Sequence, residues 1–137
     1  MKLLSSTFLS LALSAGVAMA AGHATPMVDA VDQDVSGGVV TASKVVASEN
    51  GWLVVHRTDA EMKPGPVVAY APLRAGETSD VAAILQEEVK SGELLMLMVH
   101  AEAGGTETGV FEYTLGAKED GPIKPDGKLV MTVVTAQ

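Results

Sequence analysis

Residues 39–56 read VVTASKVVASENGWLVVH and decide the fold class, because they place two strand-like segments on either side of a polar break. The first segment, 39–47, is rich in β-branched residues, and the second, 52–56, begins with four consecutive apolar residues. The break ends in Asn50-Gly51, a dipeptide that favours the positive φ angles of a tight turn. The sequence therefore predicts two strands joined by a hairpin.

Five further segments of the same kind follow, separated by turn-forming residues. The loop Lys63-Pro64-Gly65-Pro66 excludes a helix before the first of them, because proline lacks an amide hydrogen. Seven short strands at this spacing predict an all-β fold, an immunoglobulin-like antiparallel β-sandwich. The five further segments are 67–73, 81–86, 94–102, 110–113 and 129–135.

The stretch 81–90 is compatible with either kind of secondary structure. Val81, Ile84 and Leu85 have the spacing of one helix face, whereas Val81, Ala83 and Leu85 alternate as in a strand. Since the neighbouring segments are all strands, we expect a strand here, and the helix remains the alternative.

The N-terminal residues have the pattern of a secretory signal peptide. Lys2 is followed by an apolar run over 3–13 and by the small-residue site Ala18-Met19-Ala20. We expect cleavage after this site, export to the periplasm or cell surface, and no membrane span after processing. The predicted organisation is a signal peptide at 1–20, a flexible arm at 21–30 and the β-sandwich at 31–137.

The composition excludes several classes of function. The 137 residues carry a formal charge of −8, with a pI of about 4.7, so nucleic acid is not an expected partner. The chain has no cysteine, which excludes disulfides, thiolate metal sites and a cysteine nucleophile. No nucleophile elbow or zinc-binding helix frames the Ser, His and Asp residues, so the sequence predicts a protein that is not an enzyme.

Several short motifs follow one another along the chain. The motifs are Val31-Asp32-Gln33, NGWLVVH at 50–56, GPVV at 65–68, LRAG at 73–76, Asp80-Val81, 94–100 and DGPI at 120–123. Their order and spacing resemble an uncharacterised family of secreted β-sandwich domains of unknown function, found in haloarchaea and bacteria. The resemblance spans residues 31–135. It implies an extracytoplasmic location, and it implies no catalytic residues.

Two histidines stand at the ends of apolar strands and are candidates for metal binding. His56 ends WLVVH, and His100 ends LLMLMVH. Alternation places Met96, Met98 and His100 on one face of their strand. Imidazole and thioether ligands suit copper(I), so the sequence permits a copper site if the two strands pair. The alternative is structural, with histidines bound to the backbone and methionines filling the core.

A second candidate metal site depends on the cleavage position. Processing after Ala20 gives a chain that starts Ala21-Gly22-His23. A free amine, two backbone amides and the His23 imidazole form a square-planar nitrogen set that suits copper(II) or nickel(II). The alternative is an incidental histidine in an untethered terminus.

The leading prediction from these observations is an exported, non-catalytic β-sandwich that acts by binding or by cell-surface association. A periplasmic copper-binding protein is the alternative. The strands at 52–56 and 94–100 are apolar on both faces, whereas a sandwich strand normally has one polar face. We therefore expect either a protein partner or self-association through these strands, or coverage by the loop at 114–128.

Overall fold

The computed structural model describes residues 24–137, so the predicted signal peptide at 1–20 and His23 lie outside the described residues. Seven strands form two antiparallel sheets, and the described residues contain no α-helix. The all-β sandwich prediction is therefore confirmed. The strands are β1 (Met27–Asp29), β2 (Val39–Ala47), β3 (Gly51–Thr58), β4 (Val67–Leu73), β5 (Gly76–Ile84), β6 (Leu94–Ala101) and β7 (Met131–Thr135).

The two sheets enclose an apolar core. Their strand orders are β1-β2-β5 and β4-β3-β6-β7. In β3 and β6, alternate residues such as Leu53, Val55, Leu95 and Leu97 belong to this core and are fully buried. Each such side chain contributes about 1.5–3 kcal/mol to the free energy of folding, which is how a domain without disulfides is stabilised.

The predicted hairpin at Asn50-Gly51 is wrong. Strand β2 pairs with β1 and β5, and β3 pairs with β4 and β6, so the chain crosses from one sheet to the other between β2 and β3. Gly51 is the first residue of β3, and positive φ is not the reason for glycine there. A Cβ at this position would overlap the backbone carbonyl oxygen of His100 on β6. Close approach of two backbones therefore requires this glycine.

Strand β5 resolves the alternatives for the stretch 81–90. Val81 and Ala83 are buried and Ile84 is exposed, which is the period of a strand, so the preferred strand is confirmed as far as Ile84. The predicted strand at 110–113 is wrong, because these residues form no ladder and lie in a long loop.

Strand β1 lies within the segment 21–30 for which the sequence predicts a flexible arm. It pairs with β2, and Gln33 extends this attachment. The side-chain amide of Gln33 accepts a hydrogen bond from the backbone amide of Thr41 at 2.8 Å and donates one to the backbone carbonyl of Thr41 at 2.9 Å. The side chain thereby occupies the place of a strand partner for one residue of β2.

The segment after β5 crosses the outer edge of β4. The amide of Gln86 donates to the carbonyl of Val68 at 2.8 Å, so this edge carbonyl is already used. Arg57 holds the continuation of the segment, because its guanidinium forms ion pairs with Glu87 and Glu93.

Candidate functional site

The central part of the outer face of the four-stranded sheet, formed by β3 and β6, is buried, although it lies outside the core between the sheets. Residues 102–122, which we call the cover loop, lie over this face. Phe111 of the cover loop packs on Trp52 of β3 and on Tyr70 of β4, with ring centroids 5.4 and 4.3 Å apart. The buried side chains of this face are Trp52, Val54 and His56 of β3 and Met96, Met98 and His100 of β6.

The structure brings His56 and His100 together beneath the cover loop. Their Nε2 atoms are 3.3 Å apart, and both side chains are 0% exposed. His56 lies opposite Met96 in the ladder and His100 lies opposite Trp52, so the two imidazoles meet diagonally over the sheet. A bulge between Val55 and His56 alters the local course of β3 at this point.

Backbone carbonyls fix the tautomer of both rings. Nδ1 of His56 lies 2.8 Å from the carbonyl oxygen of Gly65, and Nδ1 of His100 lies 2.6 Å from that of Asp120. Since a carbonyl oxygen only accepts, both Nδ1 atoms carry the hydrogen. Both Nε2 atoms are then bare in the neutral rings. The 3.3 Å contact therefore has the length of a hydrogen bond but no hydrogen to form one.

Burial keeps the pair neutral. The pKa of His100 is lowered to about 4, chiefly by desolvation and to a smaller extent by the nearby His56, against an opposing hydrogen bond to the Asp120 backbone. Desolvation likewise lowers the pKa of His56, against its hydrogen bond to Gly65. At neutral pH two lone pairs consequently face each other in a site without water contact. A cation between them would satisfy both acceptors.

The spacing of the two nitrogens suits a metal ion. With metal–nitrogen bonds of about 2.0–2.1 Å, a separation of 3.3 Å corresponds to an angle of roughly 105–110° at the metal. Met96 and Met98 lie on the same buried face of β6. Residues 24–137 contain no group of three or more His, Cys, Asp or Glu side chains arranged around a metal. Among the buried side chains of this face, Met96 and Met98 carry the other atoms that could bind a metal, their thioether sulfurs.

Tyr113 of the cover loop closes the pair from above. Its ring stands edge-on to His100 and to His56, with centroid distances of 4.5 and 5.8 Å. Beside it opens a groove of about 430 Å³, whose lining includes Tyr70, Phe111 and Leu115.

Asp120 is a residue of the site that the sequence analysis missed. It is fully buried, and its backbone carbonyl receives the Nδ1 hydrogen of His100. In the sequence, Asp120-Gly121-Pro122 indicates only a turn, and turn aspartates are normally exposed. Neither charge nor spacing distinguishes this aspartate from Asp126, which is exposed in a similar turn.

Comparison with protein families assigns nearly all of the described residues to one family. A model described as "Domain of unknown function (DUF7282)" matches residues 26–137. The chain belongs to the DUF7282 family. The match confirms that the motifs from 31 to 135 belong to a domain of unknown function, and it extends this DUF7282 domain to include β1. No curated protein and no solved structure matches the chain.

Two sequence predictions concern surfaces of this DUF7282 domain. Residues 52–56 and 95–100 of the two apolar strands are buried on both faces within the chain, and part of the predicted covering loop 114–128 belongs to the cover loop. Contact with a partner stays a prediction, and a partner would meet the cover loop rather than these strands. No helix within residues 24–137 is long and apolar enough to cross a membrane.

Proposed function

We propose that this chain is an exported, non-catalytic binding domain whose ligand is a copper(I) ion held between His56 and His100. The observation that carries the proposal is the 3.3 Å approach of two bare Nε2 atoms in a buried site. A neutral imidazole nitrogen is a metal ligand as it stands, whereas a protonated one first has to lose its proton. The lowered pKa of both rings therefore favours metal binding at neutral pH.

The donors around the pair favour copper(I) over harder ions. Imidazole binds several transition metals, and thioethers select soft ions such as copper(I). Met98 stands between Met96 and His100 on β6, which makes its sulfur the candidate third ligand. The absence of cysteine in the chain excludes a blue-copper centre.

The charge of the cover loop favours a cation. The loop carries five carboxylates and one lysine, Lys118. A negative surface above a binding site raises the local concentration of cations and speeds their association. The acidic loop therefore supports the loading of a positive ion rather than an anion.

Copper(I) titration of the processed protein tests this function. A competition assay against a chromophoric chelator under reducing conditions is expected to give one bound ion per chain. His56→Gln and His100→Gln each remove one of the two nitrogen ligands, so each is expected to weaken binding by more than the roughly 10–100-fold that loss of an outer-shell partner costs. Met98→Leu, which conserves volume, is expected to weaken binding by about tenfold.

His23→Gln is the matched control for these variants. It removes the third histidine, at the predicted copper(II)- or nickel(II)-binding N-terminus, and leaves the buried pair intact. We expect copper(I) affinity equal to that of the unmodified protein. A wild-type protein without copper(I) affinity, or histidine variants that bind as tightly as His23→Gln, would contradict the proposal.

Export and association are tested by native mass spectrometry of the protein recovered from the periplasm or medium. Cleavage after Ala20 is expected to leave a chain that begins Ala21-Gly22-His23. The same spectrum reports bound metal and the number of subunits. Recovery of an uncleaved chain from the cytoplasm would overturn the prediction of export.

A further inference from the structure

Asp120 belongs to a small set of buried polar side chains. Within residues 24–137 only His56, His100 and Asp120 are polar and fully buried. They lie next to one another in a row, because the Nε2 atoms of the two rings are 3.3 Å apart and Nδ1 of His100 donates to the Asp120 carbonyl. A carboxylate is costly to bury unless its oxygens accept hydrogen bonds. The position of Asp120 therefore calls for a structural reason.

The Asp120 carboxylate fastens the cover loop at two points. Oδ1 accepts the amide of Ala103 at 3.0 Å, and Oδ2 accepts the amide of Glu112 at 2.9 Å. The Asp120 amide in turn donates to the carbonyl of Ala103 at 2.8 Å. Glu112 stands between Phe111 and Tyr113, whose rings cover the sheet and the histidine pair. One side chain thus ties the start of the loop to its aromatic centre.

The backbone of Asp120 completes the arrangement. Its φ of 45° lies in the left-handed region, which aspartate and asparagine tolerate better than most residues. In this conformation the carboxylate reaches the loop while the carbonyl of the same residue accepts the His100 hydrogen. The state of the loop and the tautomer of the ring are consequently coupled through a single residue.

We infer that Asp120 is the latch of the histidine site: it holds the cover loop closed over the pair and fixes His100 with its hydrogen on Nδ1. The inference rests on the proposed function for the statement that a metal enters there. Asp120 acts as a positioning residue, since it reaches the site through His100 and the loop. Opening of this latch sets the rate at which a bound ion leaves.

Asp120→Asn isolates the contribution of the carboxylate. Asparagine is isosteric and suits the positive φ. The NH₂ group of asparagine is a donor and faces one of the two backbone N–H groups, which is also a donor. One of the two hydrogen bonds to the loop is therefore lost. Asp126→Asn is the matched control, because Asp126 has a φ of 54° and lies exposed at the 3₁₀ turn Pro125–Gly127. If Asp120→Asn does not fold, Asp120→Gly removes the carboxylate and adopts the same backbone conformation without strain.

Two measurements on the metal-free protein and one on the loaded protein test the latch. In Asp120→Asn, amide hydrogen exchange at whichever of Ala103 and Glu112 loses its acceptor is expected to rise by about ten- to a hundredfold, the factor that one hydrogen bond to a charged group corresponds to. Nitrogen-15 NMR of His100 is expected to show a mixture of tautomers in place of the Nδ1–H form. Silver(I), a redox-inert soft ion, is expected to dissociate into excess chelator faster by a similar factor. Asp126→Asn is expected to leave all three values unchanged.

The outcomes separate the latch from the metal function. Unchanged exchange at both Ala103 and Glu112 together with unchanged silver(I) release in Asp120→Asn would overturn the latch. A wild-type protein that takes up no silver(I) or copper(I) would end the metal function by itself. The exchange and tautomer results then still decide whether Asp120 holds the loop and the ring.

Discussion

Acidification of the metal-free protein from pH 7.5 to pH 4.5 is expected to lower its free energy of unfolding by roughly 2–3 kcal/mol. The cause is the buried histidine pair. The pKa of His100 falls from an ordinary 6.5 to about 4 in the folded protein, because burial penalises the charged ring. Between these values the unfolded chain binds more protons than the folded one, so acid favours unfolding. The contribution is fully present above pH 6.5 and is lost progressively toward pH 4.

The pH window from 6.5 to 4.5 isolates this effect from that of the carboxylates. The pKa of Glu93 is lowered chiefly by a hydrogen bond from the Lys90 amide. The pKa of Glu112 is lowered chiefly by a hydrogen bond from the Thr106 side chain. The stability that these two groups contribute is lost only as the pH falls below their unfolded value of 4.5.

Urea unfolding at pH 7.5, 6.5, 5.5 and 4.5 in the presence of a chelator measures the acid effect. His100→Gln is the companion variant, and its stability is expected to depend less on pH within this window because the most strongly shifted group is gone. A wild-type stability that stays level or rises between pH 6.5 and 4.5 would contradict the burial of neutral imidazoles.

Replacement of Gly51 by alanine is expected to reduce the free energy of unfolding by about 3 kcal/mol or more. Gly51 lies between Leu73 of β4 and Ala101 of β6 in the ladder. The added methyl group would collide with the backbone carbonyl of His100, which no rotamer change relieves. Since the strand that must move carries His100, copper(I) affinity is expected to fall as well.

Gly37→Ala is the control for this substitution. Gly37 is exposed, and a methyl group there would meet no atom within 4 Å. Its unfolding free energy is expected to change by no more than about 0.5 kcal/mol in either direction. Equal urea midpoints for the two alanine variants would show that the backbones of β3 and β6 are not in close contact at Gly51.

Local patterning was sufficient to predict most of the strands. Val39–Ala47 and Val67–Leu73 form with the predicted bounds, because β-branched runs between turn residues have few alternatives. The pairing of these strands was less accessible. Asn50-Gly51 indicates a hairpin, but whether neighbouring strands pair or cross between sheets depends on burial of both faces, which a dipeptide does not encode.

The candidate site was predicted in part. Alternation placed His56 and His100 on matching faces, and the antiparallel pairing of β3 and β6 brought these faces together. The tautomers depend on the carbonyls of Gly65 and Asp120, which approach the rings only after both loops have folded. The segment 110–113 was misread for a related reason. Phe111 and Tyr113 alternate like strand residues, but they pack on a sheet rather than pair within one.

The segment that crosses the edge of β4 has a consequence for how this chain avoids aggregation. While it folds, an all-β chain passes through states in which strand edges of different copies are able to join. The carbonyl of Val68 at this edge accepts a hydrogen bond from the amide of Gln86. Arg57 anchors the residues that follow through ion pairs with Glu87 and Glu93. A strand from another molecule therefore finds this edge interrupted. Loss of Arg57 would release the segment from its ion pairs with Glu87 and Glu93, so the edge of β4 is expected to become more accessible to a strand from another molecule.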